Sequence, residues 1–276
     1  MLQAWNCILF LLVLEHSDTK SPLRIIGGKD VDPGAYPYVV RMELRIIRKN
    51  GTLKFWHICT ASALSATWAL TAGHCVQKKR KGLVVRYGHA PFSLTTALFS
   101  DVVSTVLHPL FTNVALGWQR KVTKNDIGLL KTTPMMISSY SKLSAVDYLT
   151  LYGHEILISG YGITNKTLPD GQSMSGSTLQ LQMPLQVLKL LVVKCRQRRL
   201  LPGICLARQC GPKLKTVCGG DSGGPLFHPS GQIGVLSLGE KTKYCLIRTT
   251  KRRVIVAGQS SPISPYIEWI YSYVTL

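Results

Sequence analysis

The sequence predicts an all-β fold closed by one helix at its C-terminal end. Three observations carry that expectation: short strand-like segments recur between turn residues, no long helical pattern interrupts them, and a helical repeat of apolar residues stands at the end. Gly82-Leu83-Val84-Val85-Arg86-Tyr87 and Gln232-Ile233-Gly234-Val235-Leu236 are short apolar runs of β character. Thr178 to Met183 alternates strictly, setting Leu179, Leu181 and Met183 against Gln180 and Gln182, so one side of that strand should be apolar. Over residues 264–274, Tyr266, Trp269, Ile270, Tyr273 and Val274 share one helical face, with Ser264 as N-cap and Pro265 at the first position. This helix is expected to pack on the body as a clasp.

A chain of 276 residues with 46% hydrophobic content can fill one core or two compact halves. Near its start, Ile8 to Leu14 form an apolar block too short to span a bilayer but suited to a signal peptide, placed at 1–17. The expected destination is the secreted, extracellular space. There, the eight cysteines read as disulfides; removing Cys7 with the leader leaves seven, so one is left over. No Cys-x-x-Cys pair and no His/Cys spacing of the zinc kind is present, so no metal is expected.

Charge is extreme: 33 Lys and Arg against 13 Asp and Glu give +20, clustered at Lys78-Lys79-Arg80-Lys81, Lys194 to Arg199 and Lys251-Arg252-Arg253. Such runs bind polyanions through counterion release, or are simply solvated loops. No aromatic residues interleave with them, which excludes a base-stacking platform and specific nucleic-acid recognition. Asn50-Gly51-Thr52 and Asn165-Lys166-Thr167 match the N-glycosylation sequon.

The chemistry lies in three short motifs. A serine hydroxyl needs a base to take its proton, a carboxylate to orient that base, and N–H donors for the oxyanion. Ser222 stands in Gly220-Asp221-Ser222-Gly223-Gly224-Pro225, His74 in Thr71-Ala72-Gly73-His74-Cys75, and Asp126 in Asn125-Asp126-Ile127-Gly128. Singly, each has an ordinary structural reading; together they supply nucleophile, base and orienting acid. A fourth element is Arg24-Ile25-Ile26-Gly27-Gly28.

With these four elements the chain resembles the secreted serine endopeptidases of the chymotrypsin/trypsin family, insect members most of all, from Ile25 to Leu276. The resemblance implies two six-stranded antiparallel β-barrels, about 25–140 and 141–260, followed by the C-terminal helix. It implies a zymogen with an activation peptide at 18–24, cut at Arg24–Ile25 by a trypsin-like protease, whose new amino group pairs with Asp221. Gly220 and Ser222 would supply the oxyanion N–H groups, and His74 and Asp126 would complete the triad, so activity should rise with pH as His74 loses its proton. The implied disulfides are Cys59 with Cys75, Cys218 with Cys245 and Cys195 with Cys205, an exchange between Cys205 and Cys210 remaining open. Protein or peptide substrates, a monomer and no cofactor follow from the same resemblance.

Departures bear on specificity. Thr216 stands at the base of the primary pocket where trypsin-like members carry aspartate, and an unpartnered buried cation costs several kcal/mol. Trypsin-like preference is therefore disfavoured; Gly239 leaves the pocket mouth open, and the lean is chymotrypsin-like. Arg248, Lys251, Arg252 and Arg253 beside the pocket would instead favour an acidic residue. Leu238 replaces a usual tryptophan, while backbone pairing with substrate through Ser237, Leu238 and Gly239 is expected to survive. Val76 to Ser100 contains no Asp or Glu, so no calcium loop is expected. A competing reading is a basic binding protein on a protease fold, with weak or no catalysis.

Overall fold

A computed structural model of the chain describes residues 25, 27–32, 34–88, 97–116, 120–162, 185–195, 201–207, 216–239 and 256–274. In chain order the elements are β1 (Lys29–Asp30), β2 (Val39–Ile47), β3 (Leu53–Ala63), β4 (Trp68–Thr71), α1 (Gly73–Val76), β5 (Leu83–Tyr87), β6 (Leu98–Leu107), β7 (Thr112–Leu116), β8 (Arg120–Lys124) and β9 (Gly128–Thr132). They continue with β10 (Glu155–Gly160), β11 (Gln186–Val193), β12 (Ile204–Ala207), β13 (Pro225–His228), β14 (Gly231–Leu238), β15 (Val256–Pro262) and α2 (Ile267–Tyr271). The all-β expectation holds. The alternating segment Thr178–Met183 lies outside the described residues, as do Cys210, Cys245, Asn165 and the basic group from Arg248 to Arg253.

Two closed strand systems make the body. The first is a barrel in the order β2-β3-β4-β9-β6-β5. In the second, β11-β10-β13-β14-β15-β12 close through an additional β11–β12 pairing, with β1 added along β11. Each ring has its own apolar filling: Val40, Met42, Leu70, Ile127 and Leu129 in the first, and Ile156, Ile158, Leu190, Val192 and Leu226 in the second. Closure removes free sheet edges and lets inward side chains stack without water.

Between the rings the chain is pinned by polar contacts. Leu143 bridges Gln232 in parallel, Ser141 Oγ donates to Gln232 Oε1 at 2.6 Å, and Ser144 N–H donates to the Gln232 carbonyl at 3.0 Å. At the end of the chain, Tyr266, Ile270 and Val274 are buried in the first barrel's core, so the helix does clasp the body. Two details differ from the sequence reading. The segment Ser264–Tyr266 is a 3-10 turn, and the Ser264 hydroxyl does not cap it but accepts the Tyr148 N–H at 3.3 Å. Tyr273, assigned to the buried face, is 42% exposed, resting its ring edge against Trp269 and leaning on Trp68.

Candidate active site

His74 is carried by α1, directly after the β4 strand of the first barrel, and the Cys59–Cys75 disulfide ties this short helix to β3. Its backbone N–H donates to Asp126 Oδ1 at 2.7 Å, and its ring Nδ1 lies 2.8 Å from Oδ2 of the same carboxylate. A carboxylate only accepts, so Nδ1 carries a proton, and in the neutral imidazole Nε2 has the lone pair. Nε2 lies 3.7 Å from Cys75 Sγ. The His74 side chain is 26% exposed against 1% for Asp126, so the imidazole meets solvent while the carboxylate that holds it is sealed.

Asp126 sits just before β9 and is held from several directions. Ser237 Oγ donates to Oδ2 at 2.5 Å, and Ser261 Oγ donates to its backbone carbonyl at 3.0 Å. Its neighbour Asn125 has φ +49, stabilised by the Tyr266 hydroxyl donating to Oδ1 at 2.8 Å and by its own amide donating to the Leu110 carbonyl at 2.6 Å. Tyr266 thereby links the C-terminal clasp to the loop that carries the acid. Ser237 reaches Asp126 because the β14–β15 register slips between Leu236 and Leu238, which leaves Ser237 on a bulge that re-aims its hydroxyl. The sequence reading placed the Ser237 backbone along the substrate strand; its side chain is buried and donates to Asp126.

Ser222 follows a sharp turn in the second ring. Its carbonyl accepts the Thr60 N–H at 2.8 Å, which spans the two rings, and Gly223 N–H donates to Leu236 at 2.7 Å. Among the described residues the Ser222 hydroxyl makes no hydrogen bond. Gly220 has φ +92, a conformation that side chains rarely tolerate. Its carbonyl accepts from His57 Nε2 at 2.9 Å and from Thr60 Oγ1 at 3.0 Å. That fixes the peptide lying between the two N–H groups assigned to the oxyanion.

Asp221 is fully buried. Its oxygens accept the Gly162 N–H at 2.7 Å and the Cys218 N–H at 2.9 Å. Burial nevertheless pushes its carboxyl up to about 7, against which the two backbone hydrogen bonds work only in part. Any Cβ at Gly162 would run into this carboxylate, so only glycine lets the chain pass so close. Ile25 is also fully buried, within the second ring's core, with φ +37. For a β-branched residue that is a strained backbone.

Behind Gly220 lies a charged cluster that composition and spacing did not indicate. Arg41 Nε and Arg86 Nη2 both bond Glu43 Oε1, at 2.7 and 3.0 Å, and all three side chains are buried on the face of β2 and β5 opposite the first barrel's apolar core. The Arg41 guanidinium lies 5.2 Å from the centre of the Tyr161 ring, against whose face the His57 ring stands edge-on. Burial first, then the Arg41 charge, hold the His57 imidazole well below its ordinary range. His57 is therefore neutral and donates through Nε2 to Gly220.

Of the specificity residues, Thr216 is buried and its hydroxyl donates to the Ala257 carbonyl at 3.3 Å. Leu238 is partly buried at the end of β14, with Gly239 exposed beside it. Cys195 is bonded to Cys205; Cys218 is disulfide-bonded, its implied partner Cys245 lying outside the described residues. His57, Ser261 and the Arg41 cluster were not singled out from the sequence, and Tyr266 was read only as part of the clasp, because no local motif marks their place at this site.

Comparison with known proteins agrees with this fold. The family model described as Trypsin matches residues 25–254. The serine protease SSP1 of Scolopendra subspinipes is 26% identical over 257 residues, covering 90% of this chain and 82% of its own length. A trypsin of Simulium vittatum is 27% identical over 226 residues, covering 78% and 83% respectively. In fold, the solved structure of HL collagenase superposes with a TM-score of 0.63 at 20% identity, covering 91% of this chain and all of the other.

Proposed function

The chain belongs to the trypsin family, and from that premise we propose that it is a secreted serine endopeptidase acting through Ser222, His74 and Asp126. The observation that carries this reading is the pair of hydrogen bonds by which Asp126 fixes both the backbone and the ring of His74. They present Nε2 as an acceptor, the state that a general base requires. In the reaction His74 takes the Ser222 proton as Oγ attacks the scissile carbonyl, then returns it to the leaving amine. Asp126 stabilises the imidazolium formed in between. Gly220 and Ser222 N–H groups receive the oxyanion.

Activation proceeds by a cut at Arg24–Ile25. The φ angle of Ile25 is defined through the preceding carbonyl carbon, so hydrolysis there removes the backbone strain that the intact chain carries at φ +37. The new ammonium group then supplies the charge that Asp221 lacks. Substrate preference is not trypsin-like, because Thr216 offers a hydroxyl already engaged by Ala257 and no carboxylate; large apolar side chains are the favoured occupants. Disulfides at Cys59–Cys75 and Cys195–Cys205 support an extracytoplasmic site of action. The test is peptide hydrolysis by the Arg24-cleaved chain, profiled on a peptide library beside Ser222→Ala and His74→Ala. The expected profile favours large apolar residues before the cut, with both variants inactive. Equal turnover by Ser222→Ala would remove the proposal.

A further inference from the structure

On the second ring, two imidazoles face each other. His154 directly precedes β10 and His228 is the last residue of β13, both at the surface. His154 Nδ1 and His228 Nε2 are 3.2 Å apart, with ring centres 5.3 Å apart and planes tilted by 46°. We infer that His154 and His228 form a binding site for a borderline divalent cation, Zn2+ above all, independent of the peptidase chemistry.

The distance carries the argument. Zinc binds imidazole nitrogen at about 2.0–2.1 Å in tetrahedral geometry, which sets two ligand nitrogens on one ion about 3.3 Å apart. The two nitrogens already stand at about that separation, and a turn of the two rings directs both lone pairs at one ion. Two coordination positions remain for water, because the pair is exposed.

The surroundings complete the chemistry. A histidine that binds metal through Nε2 must carry its proton on Nδ1, and that proton needs an acceptor. Ser230 Oγ lies 2.9 Å from His228 Nδ1, and Ser144 Oγ lies 2.8 Å further along. Without metal, the Ser230 N–H reaches the same Nδ1 at 3.3 Å, so the His228 proton sits on Nε2 and bridges to His154. Binding replaces this bridging proton with the cation; the proton moves to Nδ1 and points at Ser230 Oγ, the exposed Ser230 N–H gives up Nδ1 for water, and no proton is lost from the pair. Burial, and then the neighbouring His154, lower the His228 basicity, which keeps its lone pairs free at neutral pH. By contrast, another cluster of donors among the described residues, Cys59, His74 and Cys75, has both sulfurs consumed in one disulfide.

The site ties three pieces together: the turn into β10, the β13–β14 hairpin and, through Ser144, the segment joining the two rings. The test is calorimetric titration of the uncleaved full chain with ZnCl2, alongside MgCl2, in the wild type and in His154→Ala, His228→Ala, Ser230→Ala and His74→Ala. Expected are one equivalent of Zn2+ and no Mg2+ binding, with affinity lowered tenfold or more by either His154→Ala or His228→Ala. Ser230→Ala should give a smaller loss and His74→Ala none. NMR of the wild-type chain gives a second readout, in which Zn2+ shifts the ring protons of His154 and His228 together. Full affinity in a His154→Ala, His228→Ala double variant, or ring signals unmoved by Zn2+, would overturn the inference.

Discussion

In the intact chain Asp221 should make stability fall as pH rises, and cleavage at Arg24 should cancel that dependence. Burial raises its carboxyl from 3.8 to about 7 in the folded protein. Across that interval the unfolded chain has released the proton and the folded chain still holds it. The folded state therefore binds more protons, and its stability drops as pH climbs from about 4 to about 7. Three pH units at about 1.4 kcal/mol each amount to about 4 kcal/mol, lost in full above pH 7. On the proposed activation, cleavage at Arg24 would place an ammonium group beside the carboxylate, so the ionised form should become the favoured one and the slope vanish or reverse. The assay is urea unfolding of a Ser222→Ala chain, which cannot cut itself, at pH 4 to 7.5, with and without Asp221→Asn. Intact, the chain that keeps Asp221 should lose about 4 kcal/mol more than the chain carrying Asp221→Asn across this range, and after cleavage the gap should close. Parallel curves for the two intact chains would refute the reasoning, as would a gap untouched by cleavage.

Other consequences follow from named contacts. Ser237→Ala removes the 2.5 Å donor to Asp126 and should lower kcat on a peptide substrate about tenfold or more, since a hydrogen bond to a charged group contributes about 1.5–3 kcal/mol. Glu43→Gln strips the shared anion from Arg41 and Arg86, and chemical unfolding should show a loss of about 3–5 kcal/mol. Gly162→Ala forces Asp221 out of place; the chain should still fold by circular dichroism, with kcat/KM down about 100-fold.

Local patterns made much of this molecule legible. The run from Leu83 to Tyr87 and that from Gln232 to Leu236 read as strands because β-branched residues between turn signals have few other uses, and both are strands. The pairs Cys59–Cys75 and Cys195–Cys205, implied by the resemblance, are bonded as expected. His74, Asp126 and the turn at Ser222 announce themselves by short motifs, and His74 and Asp126 do meet. What stayed hidden comes from tertiary approach. Ser237 finds Asp126 across 111 residues through a bulge, and Tyr266 finds Asn125 across 141; neither leaves a local trace. Arg41 and Glu43 alternate with apolar residues as solvent-facing charges would, yet Val39 to Glu43 are all buried. Alternation sends those charges to the face of β2 opposite Val40 and Met42, where Arg86 joins them and Tyr161, just after β10, covers them. At the C-terminus, Ser264 had the composition of a cap, but the Tyr148 N–H claims its hydroxyl.

The central claim is that Ser222 becomes a nucleophile when the chain is cut at Arg24–Ile25. Its most direct test is mass-spectrometric mapping of a serine-directed phosphonate on the cleaved chain, beside the intact chain and His74→Ala. The account predicts one phosphonate per cleaved molecule, on Ser222, with the intact chain and the variant labelled far more slowly. Absence of label on Ser222 in correctly cleaved protein, or equal labelling when His74 is gone, would contradict it.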